Sequence, residues 1–111
     1  MTHATDTEIA NDAIRIRRTI IEQIGAMTVL AICGGRLKAT GLYTIEFKDS
    51  SAGHLVAVTY DRATDLYTVE RLYRRAGKTW NKGTRTGVYC DQLSDACYEA
   101  SCWNGTEFGT I

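Results

Sequence analysis

Residues 55–73, LVAVTYDRATDLYTVERLY, constrain the fold more than any other stretch. Two runs rich in Val, Tyr, Thr and Leu flank the polar link Asp61–Asp65. β-Branched and aromatic runs bounded by turn residues favour strands, and so short a link suits a hairpin. A lone hairpin is marginal in water, so the rest of the chain must supply further strands and a helix to cover them.

The flanking sequence contains both. Ile9, Ala13, Ile16, Ile20 and Ile24 recur at helical spacing, with Ile14 and Ile21 widening the stripe, so residues 7–24 read as an amphipathic helix. Asp6 suits its N-cap and Gly25 its stop. Arg15, Arg17 and Arg18 fall on the outer side as a solvated face. Met27–Cys33 is a continuous apolar run of strand length, ended by Gly34–Gly35. Arg36–Lys38 reads as a polar bend, and Gly41 as a bulge or bend before a strand built on Leu42, Tyr43, Ile45 and Phe47. Lys48–Gly53 is a loop by composition. After the hairpin, the second strand continues as RRAGKTW, with Ala76–Gly77 as a bulge or tight turn and Asn81–Gly83 as a turn. A helix is expected near 90–102. Tyr89, Leu93, Ala96, Cys97 and Ala100 share one face, and Asp91, Gln92, Asp95 and Glu99 the other. Trp103 closes the core at its end and Phe108 docks back from the tail.

The expected fold is therefore α+β: an N-terminal helix, an antiparallel sheet of about four to five strands and a C-terminal helix. A chain of 111 residues suits a single domain, 1–111, with 1–5 and 104–111 loose. It lacks proline, so no element is interrupted by that route. Thirteen basic and thirteen acidic residues balance, which argues against strong non-specific attraction to nucleic acid or anionic lipid. No apolar run reaches the ~18 residues of a membrane span, and MTHATDTE lacks the pattern of a signal peptide, so a cytoplasmic location is expected.

Chemistry-bearing residues are few. Four cysteines, at 33, 90, 97 and 102, lack Cys-x-x-Cys spacing, and His3 and His54 are the two histidines. The cysteines read as small reduced hydrophobes; no metal site and no cofactor is expected. A Cys33–His54 or Cys90–His54 dyad is the nearest approach to a nucleophile site, and a surface histidine beside a turn is the simpler reading. Asp91 with Asp95 reads as a solvated helix face. The chain is expected not to be an enzyme.

One segment stands out. Arg71, Arg74, Arg75, Lys78, Lys82 and Arg85 come without an acid among them, and Tyr73 and Trp80 lie inside the run. Cations interleaved with aromatics can hold a nucleic-acid backbone and stack bases. The same residues can instead form a charged strand edge that discourages sheet-to-sheet pairing. These eight residues are the candidate contacts for nucleic acid or a partner.

Two blocks add a resemblance. RTIIEQIGAMTVLAICGGRL (18–37) has the form TI-x-x-Q-[LI]-G followed by an apolar run ending in a small-residue pair and a base. LYTVERLY (66–73) with GVYCDQLSDACYEA (87–100) contains a strand and a VY-x-DQL helix. Together they resemble a family of small proteins of unknown function carried by bacteriophages and other mobile elements. Cys33, Gly35 and the ending CWNGTEFGTI depart from its pattern. The resemblance implies helix, antiparallel strands and helix, a phage or prophage origin, and an accessory role, and it carries over no catalytic residue. The functional expectation is a non-enzymatic cytoplasmic protein that binds a host or viral protein, in its specific form inhibiting a host defence system such as CRISPR or restriction. The alternative is a nucleic-acid-binding accessory protein using the 71–85 segment. An exposed strand edge allows a homodimer.

Overall fold

The computed structural model describes residues 6–33, 37–48 and 53–102. Helix α1 (Asp6–Ile24) leads into α2 (Ala26–Cys33). Five strands follow: β1 (Leu37–Gly41), β2 (Thr44–Lys48), β3 (His54–Asp61), β4 (Leu66–Arg75) and β5 (Lys78–Val88). A 3-10 turn (Cys90–Gln92) then opens α3 (Leu93–Cys102). The strands form one antiparallel sheet in sequence order, β1-β2-β3-β4-β5. The α+β expectation is met, with helices before and after a five-stranded sheet.

Strand alternation sorts the side chains onto two faces. Ile45, Phe47, Val56, Val58, Tyr67, Val69 and Val88 share one face and pack against Ile20 and Ile24 of α1, Val29 of α2, and Leu93, Ala96, Cys97 and Ala100 of α3. This is the core. On the open face Leu55 and Ala57 are the buried apolar side chains among the described residues. Arg74 reaches diagonally from β4 to Glu46 on β2, so their ion pair crosses β3 at the level of Leu55.

The α1 stripe behaves largely as its period requires. Ala13, Ile20 and Ile24 are buried and Ile16 and Ile21 partly so, but Ile14 is 48% exposed. In α3, Leu93, Ala96, Cys97 and Ala100 face inward as expected. Tyr89, placed on that face from the sequence, precedes the helix and is 58% exposed.

Four local readings need correction. Met27–Cys33 belongs to a helix, not a strand. An apolar run this short has no period that separates a buried strand from a buried helix turn, and α1 and α3 offer α2 a helical docking site. Gly25, at φ +90°, stops α1 for one residue while Val29 N–H donates to Gly25 O, so the chain turns and resumes helix. The bend at Arg36–Lys38 is replaced, from Leu37 on, by β1, and Leu42–Tyr43 form a hairpin turn instead of strand. Asn81–Gly83 is not a turn. The register steps from Leu72↔Asn81 to Glu70↔Thr84, so Lys82 and Gly83 together oppose Arg71 as a β-bulge. Asn81 supplies the turn-like chemistry locally: its Oδ1 accepts from Gly83 N–H at 2.7 Å, and its Nδ2 donates to Glu70 and Thr84. A second bulge lies beside Thr68, where Thr86 and Gly87 stand together.

Ala76–Gly77 is the tight turn expected. Both residues have positive φ, 54° and 78°, the signature of a two-residue type I′ hairpin. Expectations for 1–5, 34–36, 49–52 and 103–111, including His3, Trp103 and Phe108, lie outside the described residues, as do the side chains of Asp6, Ile9, Cys33 and Cys102. Among the described residues no helix is long and apolar enough to cross a membrane.

Candidate interaction surface

The β4–β5 hairpin runs on past the helices. Its register pairs Tyr73 with Trp80 and Arg75 with Lys78, and β3 places His54 beside Tyr73. All five side chains therefore stand on the helix-bearing face, two residues or more beyond Arg71. His54, Tyr73 and Trp80 form a row across three strands. Their ring centroids are 5.0 Å (His54–Tyr73) and 5.7 Å (Tyr73–Trp80) apart, with tilts of 54° and 37°. Separations of this size are those of favourable aromatic pairs. Trp80 remains 45% exposed.

Gly53 helps set this row. Its φ is +83°, and a Cβ there would stand 2.7 Å from Tyr73 Cε2. Its carbonyl accepts from Arg74 N–H at 2.7 Å, which holds the start of β3 against β4. His54 Nδ1 is buried without a hydrogen-bond partner.

The six cations of 71–85 do not form one patch. Arg71, 7% exposed, points into the core and donates to the carbonyl of Ala100, in the last turn of α3. A cation there satisfies a helix-end carbonyl and meets the negative end of the dipole. Arg74 lies on the opposite face. It forms a two-pronged pair with Glu46 at 3.0 and 3.1 Å, while its Nε donates to Thr79 at 2.9 Å. The hydrogen bonds it donates to Glu46, above all, hold the Arg74 pKa above its usual value. Arg85 pairs with Glu99 of α3 at 2.5 Å. Arg75, Lys78 and Lys82 have no ion-pair partner among the described residues. The structure thus brings together Tyr73, Arg75, Lys78 and Trp80, with Lys82 at the neighbouring bulge, and assigns Arg71, Arg74 and Arg85 to the scaffold.

In the sequence His54 reads as a surface group beside a turn; nothing there marks it as the third ring of the row. Glu46 and Glu99, the counter-charges, come from β2 and α3. No signal within 71–85 could have found them.

The Cys90–His54 pair is separated by the sheet. His54 sits at the Trp80 end, whereas Cys90 follows Val88, which is opposite Tyr67. Six residue steps along β4 separate these levels, about 20 Å of strand. Cys97 is fully buried, and burial pushes its thiol up to about 12. Asp91 and Asp95 are both exposed. A shallow hollow of about 370 Å³ between α2 and α3 is lined by Thr28, Ser94, Asp95, Tyr98 and Glu99, and Thr28 and Ser94 share a 2.6 Å hydrogen bond across it. Among the described residues no three His, Cys, Asp or Glu side chains converge as metal ligands would. No protein-family model matches the chain, and neither does any curated protein or solved structure.

Proposed function

We propose that this chain is a non-enzymatic accessory protein that binds another protein, host or viral, in the cytoplasm of a bacterial host. The observation that carries the reading is the half-exposed Trp80 packed on Tyr73, which is itself backed by His54, with Arg75 and Lys78 beyond on the same face. Trp, Tyr and Arg dominate the energetic centres of protein interfaces, because rigid rings bury large areas at small entropic cost. Phage origin, and with it inhibition of a defence system such as CRISPR or restriction, is supported by the resemblance of residues 18–37, 66–73 and 87–100 alone. The separation of His54 from Cys90 and the buried, neutral Cys97 support a role without catalysis.

The test compares wild type with Trp80→Ala as bait in bacterial lysate. One partner should be retained by wild type and lost, by about ten-fold or more, with Trp80→Ala, since a central aromatic anchor contributes on the order of 2 kcal/mol or more. Identical captures by both baits would refute the reading.

A second reading, nucleic-acid binding, is favoured by one observation: among the described residues Arg75, Lys78 and Lys82 have no carboxylate partner, and they stand beside an exposed indole. Three phosphate contacts are a small electrostatic footprint, and the loss of Arg71, Arg74 and Arg85 to the scaffold ranks this reading second. Salt-sensitive binding of a single-stranded oligonucleotide at about 50 mM salt, abolished by Arg75→Glu with Lys78→Glu, would put it first.

A further inference from the structure

Charge is distributed unevenly around Trp80. Arg75 and Lys78 are paired across the strands just before the Ala76–Gly77 turn, on the face that carries the indole. Lys82 follows two residues past Trp80, at the bulge opposite Arg71. Along β5 the indole therefore has one lysine before it and one after it, each about 7 Å of strand away. All three cations are exposed, and among the described residues no carboxylate pairs with them. Glu46 is held by Arg74 and Glu70 by Asn81 on the opposite face, and Glu99 by Arg85.

Unpaired cations beside an exposed ring restrict what can dock there. A partner that covers the indole also strips water from these charges, which is unfavourable unless anions meet them. A neutral or basic surface would leave them uncompensated. A second copy docking hairpin to hairpin would set the cluster against itself. A nucleic acid supplies anions, but its affinity grows with the number of phosphates neutralised, and three give a small gain. We propose that the partner presents an acidic protein segment to this hairpin: an apolar side chain packs on Trp80, and carboxylates on either side of it meet Arg75, Lys78 and Lys82. The proposal rests on the reading of the hairpin as the contact surface and adds the partner's chemistry to it.

The probe is a capped seven-residue peptide with a central Phe among Glu residues, titrated into isotope-labelled protein and followed by amide chemical shifts. Controls are the same peptide with Lys for Glu, the same peptide with Ser for Phe, and a single-stranded thymidine oligonucleotide of equal length. Shifts should concentrate on residues 73–82. The Glu/Phe peptide should bind about ten-fold or more tighter than the Lys/Phe form. Arg75→Glu with Lys78→Glu, and separately Lys82→Glu, should reduce or invert that preference. Trp80→Ala, and the exchange of Phe for Ser, should each weaken binding of the acidic form. Equal affinity for the two charge forms, no shift up to about 1 mM peptide, or tighter binding of the oligonucleotide would overturn the acidic partner. Trp80-dependent capture from lysate would in those cases still uphold the broader reading of the hairpin. Binding of the acidic peptide that Trp80→Ala leaves unchanged would refute that broader reading and the proposal with it. Self-association that places Trp80 in its interface would overturn the proposal too, by giving the surface to a second copy.

Discussion

Arg71 shows how one residue changes meaning between chain and fold. Within 71–85 it is one cation of six; in space it is buried and tied to Ala100. Arg71→Met keeps much of the side-chain volume and leaves that carbonyl without this donor. The expected loss is about 1–3 kcal/mol, read from the urea midpoint. Conversion to Met should leave hairpin-dependent binding intact, because the side chain does not reach the outer surface. Cys97 makes a different residue-scale prediction. Burial raises its thiol from 9.0 to about 12, so between those values the unfolded chain gives up this proton and the folded one retains it. The unfolded state then binds fewer protons, and stability must fall as pH rises. The slope from this group is about 1.4 kcal/mol per pH unit above pH ~9. Wild type should lose stability relative to Cys97→Ala over pH 9–11, and a pH-independent difference between the two would contradict the burial argument.

At the scale of elements, the β4–β5 hairpin is the informative one. Ala76 holds φ 54° at the first turn position, a conformation an alanine adopts only with strain. Asn-Gly is the preferred pair for this turn, so Ala76→Asn should stabilise the protein by about 0.5–1 kcal/mol, with a higher urea midpoint and an unchanged slope. An unchanged or lower midpoint would argue against a type I′ turn. Alternation along β4 sets Tyr73 and Arg75 on one face and Arg74 on the other. The bulge at Lys82–Gly83 was not legible, because Asn-Lys-Gly has the same composition whether it ends a strand or kinks one. Residues 27–33 read as a strand in the sequence for a related reason. Neither hydrophobicity nor length distinguishes MTVLAIC as strand from the same residues as two helical turns, and the decision belongs to what it packs against.

For the whole molecule, the sheet sorts tasks by position. Three helices cover one end of one face, the Glu46–Arg74 pair spans part of the other, and the aromatic row lies beyond the helices at the hairpin end. The scaffold and the proposed contact surface should therefore come apart on mutation. Trp80→Ala, at a half-exposed position outside the core cluster, should shift stability by less than about 1 kcal/mol while removing partner binding. A large loss of stability would make Trp80 a structural residue.

The period of isoleucines in α1, the inward stripe of α3 and the β-branched and aromatic runs of β2, β3 and β4 are properties of neighbours along the chain. They could be read before any contact was known, and they were enough to give the fold class. Which cations would be cancelled, which ring would join Tyr73 and Trp80, and whether an apolar run would coil or extend depend on residues tens of positions away. Charge pairing and core packing act through space, so Glu46, Glu99 and His54 acquired their roles only when the strands took their register and α3 closed over Arg71.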